Sequence, residues 1–248
     1  MKKFTDIKSH IIPEFDDGPF NFDESLEILV LAEKSGISKI IATPHYENLL
    51  INNKNFKDIE EYVEKLNTLA HKNSIDINIF SGISLNFSEK IIDIIDNEAQ
   101  NFSLNKTRFF LIESTFNYFD ESNVKIIEKF RDKRLYPIIS HPERNIYLRK
   151  NYKILEEIIN LGALIQISSD SIIGNNGDIS KKFALEIIEK KHATCISSEI
   201  HNKDKILFPN LNVSYELITE VFGEKVSNKL FISNPQLILD GHLPKFED

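Results

Sequence analysis

A chain of 248 residues with a net charge of −8 is too acidic for a general nucleic-acid binder, which would present a basic stripe. Its 41% hydrophobic content suffices for the core of one α/β barrel or two small domains, and no apolar run approaches the ~20 residues of a membrane span. Cys195 is the only cysteine, so no disulfide can form within the chain and a reducing, cytoplasmic setting is expected. The opening MKKFTDIKSH carries basic charge with no apolar stretch behind it, so no secretory signal is expected.

Strand-like and helix-like segments alternate along the chain. Short β-branched runs read as buried strands at Phe4–Ile7, Lys39–Ala42, Asp76–Phe80, Arg108–Ile112, Tyr136–Ile139, Ala163–Ile167 and Ala193–Ile196. Between them the apolar spacing turns helical: Ile59, Val63 and Leu66, then Val124, Ile127 and Phe130, then Leu155 and Ile158, then Phe183 and Ile187. Asn21 or Asp23 could cap the first helix and Gly36 could end it. Asn202–Asn212 reads as an extended loop, and Val213–Leu239 as helices packed against the strands. Seven strands alternating with helices imply parallel pairing through right-handed crossovers. An open doubly wound sheet is the alternative, but it would usually carry a glycine-rich loop after its first strand, and none is present.

Metal-capable side chains follow nearly every predicted strand. His10 follows the first, with Asp16 and Asp17 in the loop beyond it. His45 follows KIIATP, Glu113 follows RFFLI, His141 follows YPIIS, and Glu199 and His201 follow ATCISS. In a parallel barrel these positions open on one face. Such mixed nitrogen and oxygen ligation suits manganese, iron or zinc, ions that polarise phosphoryl oxygens and acidify water. Each residue alone could equally be packed or solvated; their shared placement carries the reading. His71, His192 and His242 fall elsewhere and read as structural or surface residues. Arg144, three residues past His141, could reach a bound anion with its guanidinium fork; a surface pair with Glu143 is the competing reading. Gly18, in DDGP, would allow a tight turn that aims Asp17 inward.

The run DIKSHIIPEFDDGPFNFDESLEILVLAEKSGISKIIATPH resembles the opening of the polymerase-and-histidinol-phosphatase (PHP) superfamily. Within it, the likeness is to the manganese-dependent protein-tyrosine phosphatases of capsule and exopolysaccharide systems. FFLIE, YPIISHPERN, GALIQISSDSIIG, SSEIHN and LFISNPQLILDG follow in the same order, so the resemblance spans the chain. It implies one domain over residues 1–248, a distorted (β/α)7 TIM-like barrel of the PHP type, and a cluster of three metal ions. By resemblance Asp17, His45 and His201 match a complete ligand set for one ion, and Glu113 and His141 match ligands of a second. His10 matches the second histidine of a His-x-His pair, Glu199 takes the place of an aspartate, and Arg144 matches a phosphate-binding arginine. Lys8 stands where the first histidine of that pair is expected, and Ser84 where a bridging glutamate is expected. A second arginine is absent beyond HN, where Lys203 or Lys205 could substitute.

The resemblance therefore implies manganese or another divalent metal, with fewer than three ions held. Lys8 is expected to point into a ring of carboxylates that includes Glu199, at or beside the space of the first ion. A neutral Ser84 would then avoid surplus negative charge. The implied activity is hydrolysis of phosphotyrosine on a protein, namely a bacterial capsule-type tyrosine kinase, with Arg144 acting on the phosphate. A catalytically silent phosphate- or partner-binding module and a small-metabolite phosphatase are the alternatives. Neither nucleic-acid binding nor membrane insertion is expected, and the oligomeric state stays open.

Overall fold

The computed structural model describes residues 2–88, 90–201 and 210–244. Its strands are β1 (Phe4–Ser9), β2 (Ile37–Ala42), β3 (Asn78–Ser81), β4 (Ser84–Asn86), β5 (Phe109–Glu113), β6 (Tyr136–Ser140), β7 (Leu164–Ser168) and β8 (Cys195–Ser197). Seven coincide with the predicted runs. The eighth, β4, reads Ser-Leu-Asn, too short and too polar to show a strand pattern in sequence. It arises because the chain leaves β3 at Gly82, where a Cβ would lie 2.8 Å from Leu104 and 2.9 Å from Ile41. After that close passage β3 remains on β2, while β4 joins β5.

All strand pairs are parallel, in a three-stranded sheet ordered β1-β2-β3 and a five-stranded sheet ordered β4-β5-β6-β7-β8. Single parallel bridges join the two at both seams, Ser9 with Ile200 and His45 with Ser84. β1 also bulges against β2: Asp6 pairs with Ile40 and Ser9 with Ala42, so the β1 strand gains a residue between them. Such bulges re-aim side chains next to sites, and here Lys8 lies inside the bulge.

Helices cover the strands as their spacing requires. Asn21 accepts the Glu24 N–H at the start of Phe22–Lys34, and Gly36, with φ of 90°, follows its end. Asn55 with Asp58, and Asp120 with Asn123, form reciprocal caps on Phe56–Lys72 and Glu121–Asp132. The apolar positions Ile59, Val63, Leu66, Ile127, Phe130, Leu155, Ile158, Phe183 and Ile187 are all buried in the main core with strand residues such as Ile40, Phe110, Ile139 and Ile165. Each such large side chain contributes roughly 1.5–3 kcal/mol on burial. A second, smaller cluster draws Ile7, Ile41, Leu111, Ile138, Leu164 and Cys195 from strands of both sheets, with Ile238 and Leu239 packed against them. Residues two positions further along those strands, Glu113, Ser140 and Gln166, share the same faces by strand periodicity, so a polar layer lies over this apolar one.

The C-terminal region is helical, as its sequence implies, with Leu211–Phe222, Glu224–Asn228 and Asn234–Leu239 joined by a π-helical turn at Lys229–Ser233. Tyr215 and Phe231 pack their rings on Phe4, anchoring this region to β1. Of the extended loop expected at Asn202–Asn212, residues 202–209 lie outside the described residues, and the next helix begins at Leu211.

Candidate active site

The C-terminal ends of β1, β2, β5, β6 and β8, with the loops that follow them, place every expected site residue in one cavity of about 540 Å³. His10, Asp17, His45, Glu113, His141, Arg144, Glu199 and His201 line it, together with Lys8, Phe116, Asp170 and Asn176. Two of these residues adopt a left-handed backbone uncommon for side chains other than glycine: His141 at φ 39° and Glu199 at φ 56°. Backbone of this kind clusters where a side chain must be aimed at a site. His71 and His242 are exposed, and His192 hydrogen-bonds Tyr152 away from the cavity.

One half of the cavity is built from imidazoles. His10, Asp17, His45 and His201 each offer a donor atom, and the four atoms lie within 4.8 Å of one another. The His10 ring stacks on His201 at 4.0 Å and approaches His45 at 4.4 Å. His10 Nδ1 lies 2.7 Å from Asp16 Oδ2, whereas His10 Nε2 is buried with no hydrogen-bond partner among the described residues. A carboxylate on one ring nitrogen and a free lone pair on the other is how a metal-ligating histidine is oriented. Asp16 also accepts the N–H groups of His45 and Gly18. Burial would raise its carboxyl, but the bond to His10 holds it below the usual range. Burial also lowers the His45 imidazole, as does its neighbour His10, which favours the neutral, ligating form. Three imidazoles and one carboxylate fit a divalent transition ion.

The resemblance assigns His10 only to a His-x-His pair; in the fold it joins Asp17, His45 and His201. Gly18 performs the expected aiming by a different cause. It needs no positive φ, but a Cβ there would lie 2.3 Å from the His10 carbonyl oxygen. Asp16, a metal-capable residue of the same loop in sequence, orients His10 and lies outside the four-donor group.

The other half is built from charge pairs. Lys8, with a side chain only 2% exposed, places Nζ 2.8 Å from Glu113 Oε1 and 3.7 Å from Glu199 Oε1, and donates to Ser140 Oγ at 2.9 Å. Ser84 donates its hydroxyl to the same Glu113 oxygen at 2.7 Å, and His141 Nε2 is 3.7 Å from Glu113 Oε2. Gln166 donates to Glu199 Oε1 at 3.3 Å and accepts the Ser140 hydroxyl. Burial would raise both carboxyls, but Lys8 opposes it most strongly. Glu113 is held well below the usual range, and Glu199, with help from His141 and Arg144, at about 2. Ser140 and Gln166 were missed, although a polar residue inside the apolar runs YPIIS and LIQIS marks them.

Arg144 stands between this half and solvent. Its Nη1 lies 3.4 Å from Glu199 Oε2, and its guanidinium sits over the Phe116 ring at 4.5 Å. Glu143, the sequence-adjacent partner considered for it, is buried instead and accepts the Ser168 N–H. Lys203 and Lys205 lie outside the described residues.

The sequence from residue 4 to 240 matches the family described as capsular polysaccharide synthesis, CpsB/CapC. The chain belongs to the CpsB/CapC family. Among its relatives, tyrosine-protein phosphatase YwqE of Bacillus subtilis is 31% identical, over 94% of this chain and 91% of its own. Tyrosine-protein phosphatase CpsB of Streptococcus agalactiae is 29% identical, over 96% of this chain and 98% of its own. A crystal structure from work on YwqE of Bacillus subtilis and CpsB of Streptococcus pneumoniae, named there unique metal-dependent tyrosine phosphatases, matches this CpsB/CapC chain with a TM-score of 0.90. The identity is 28%, with 97% of this chain and 96% of that chain covered. The lactonase Lmo2620 of Listeria monocytogenes, 12% identical with a TM-score of 0.53 over 99% of this chain and 95% of that one, shares the fold alone. The sequence resemblance to this branch of the PHP proteins is thereby borne out.

Proposed function

We propose that this chain is a metal-dependent phosphatase that hydrolyses phosphotyrosine on a protein. The observation that carries the reading is the facing of the His10, Asp17, His45 and His201 group by Arg144 across one cavity with an aromatic wall, Phe116. A divalent ion held by those four residues, with manganese the proposed species and fewer than three ions in all, supplies Lewis-acid charge for phosphoryl oxygens and acidity for an attacking water. The chain's own groups supply the rest. Arg144 takes the equatorial oxygens with its planar fork, which sits over the Phe116 ring. The exposed part of Phe116 also offers a face to the substrate's own ring. A phenolate leaving group, of pKa about 10, needs little proton donation. Cys195 cannot act as the nucleophile of a thiol-based phosphatase: it is the sole cysteine, it is buried in the smaller apolar cluster, and that burial pushes its thiol up.

The scaffold we infer is one distorted (β/α)7 barrel of the PHP type over residues 1–248. The bridges at both seams and the apolar cluster shared by both sheets support it. The proposed substrate is a capsule-type tyrosine kinase, met in the cytoplasm; no helix among the described residues is long and apolar enough to cross a membrane. The test is hydrolysis of a phosphotyrosyl peptide by metal-stripped protein, with and without added manganese, beside a phosphoseryl peptide and a small alkyl phosphate. Manganese-dependent release from the phosphotyrosyl peptide is expected. Phosphate binding without turnover of any of the three would sink the proposal in favour of a binding module.

A further inference from the structure

We propose that the ammonium group of Lys8 is a tethered cation that takes the place of a divalent ion, so that this pocket holds one divalent ion tightly, on its histidine side. The Lys8 Nζ lies 2.8 Å from Glu113 Oε1, donates to Ser140 Oγ at 2.9 Å and pairs by charge with Glu199 Oε1 at 3.7 Å. It is thus a built feature, wedged between the two carboxylates an ion on this side would need. Arg144 covers the other Glu199 oxygen at 3.4 Å. The two carboxylates therefore already face two cations. The histidine side has the opposite character, with a buried His10 Nε2, unpartnered among the described residues, in a group of four convergent donor atoms.

The charges agree. Exchanging a divalent ion for an ammonium leaves the pocket one positive charge short. Exchanging a carboxylate for Ser84, whose hydroxyl sits 2.7 Å from Glu113 Oε1, removes one negative charge. For the one ion whose place Lys8 takes, the two changes thus balance, and a carboxylate at position 84 beside Glu113 would face a single positive charge in place of two. An ammonium cannot ligate an ion without first losing its proton, so Lys8 excludes a metal from the space it fills. The inference rests on the phosphatase reading only in assigning to Lys8 and one ion together the neutralisation of the phosphoryl group; the ion count is independent of it.

The test is manganese titration of the metal-stripped full chain without substrate, read by elemental analysis and by electron paramagnetic resonance. One tightly held ion per chain, with the six-line signal of an isolated manganese, is expected. In the Lys8→His, Ser84→Glu double variant the count should exceed one, with the signal broadened by exchange between neighbouring ions. Two or more coupled ions in the unaltered chain, or none held tightly, would overturn the proposal whether or not the variant folds. One isolated ion without phosphotyrosyl hydrolysis would uphold it while sinking the phosphatase reading.

Discussion

The two halves of the cavity solve the same electrostatic problem in opposite ways. The histidine half gathers three imidazoles and one exposed carboxylate, Asp17, and leaves a buried nitrogen of His10 without a partner among the described residues. An unpartnered buried polar atom costs about 1–3 kcal/mol, a cost that a bound ion would offset. The other half is already closed on itself, with Lys8 between Glu113 and Glu199 and Arg144 over the outer edge. Burial drives carboxyl groups toward protonation, yet both carboxyls stay charged because fixed cations stand beside them. Proximity to a site is therefore a poor guide to ligation. What separates the halves is whether the charges present already cancel.

That contrast can be broken most severely from the histidine side. His45→Ala or His201→Ala should lower manganese affinity and phosphotyrosyl hydrolysis by at least about a hundredfold, since each removes a donor from a four-donor group. A calorimetric manganese titration beside the peptide assay checks both, and wild-type affinity in either variant would remove the histidine half from the mechanism. On the other side the effect should be smaller and of another kind. Arg144→Ala should leave manganese affinity near wild type, while KM rises and kcat falls, with a combined loss of about tenfold to a hundredfold in kcat/KM. Arg144→Lys should recover only part, because an ammonium lacks the bidentate fork. Full activity in Arg144→Ala would reduce this arginine to a partner of Glu199.

An effect of another kind, on folding and not on activity, concerns stability beneath the ammonium half. Asp6 is fully buried and accepts the N–H groups of Lys8 and Ser198 and the Ser198 hydroxyl. Burial pushes its carboxyl from 3.8 up to about 6, although the Ser198 contacts pull the other way. Because the folded form holds this proton more tightly than the unfolded one, stability from this group is greatest below the lower value. It falls as pH rises through the interval and is constant above it. The loss is on the order of 3 kcal/mol. Asp6→Asn should flatten this part of the profile, measured by denaturant unfolding between about pH 4 and pH 7. An unchanged slope in the variant would place that pH dependence elsewhere.

The sequence by itself determined the alternation of strands and helices, because apolar spacing and capping residues act over a few positions. It also determined that ligand-type side chains follow the strands, since parallel crossovers bring all strand ends to one side, and its motifs sufficed to recognise the family. Only the tertiary structure decided how those residues divide. His10 joins Asp17, His45 and His201 because the Asp16 turn closes against β1 at Gly18. Arg144 turns to Glu199, 55 positions away, while its neighbour Glu143 is buried under Ser168. β4 exists because Gly82 lets the chain pass Ile41 and Leu104 closely enough to change sheets. In each case the deciding partner is distant in sequence, and strand register and close packing, which no local pattern encodes, set the distance between them.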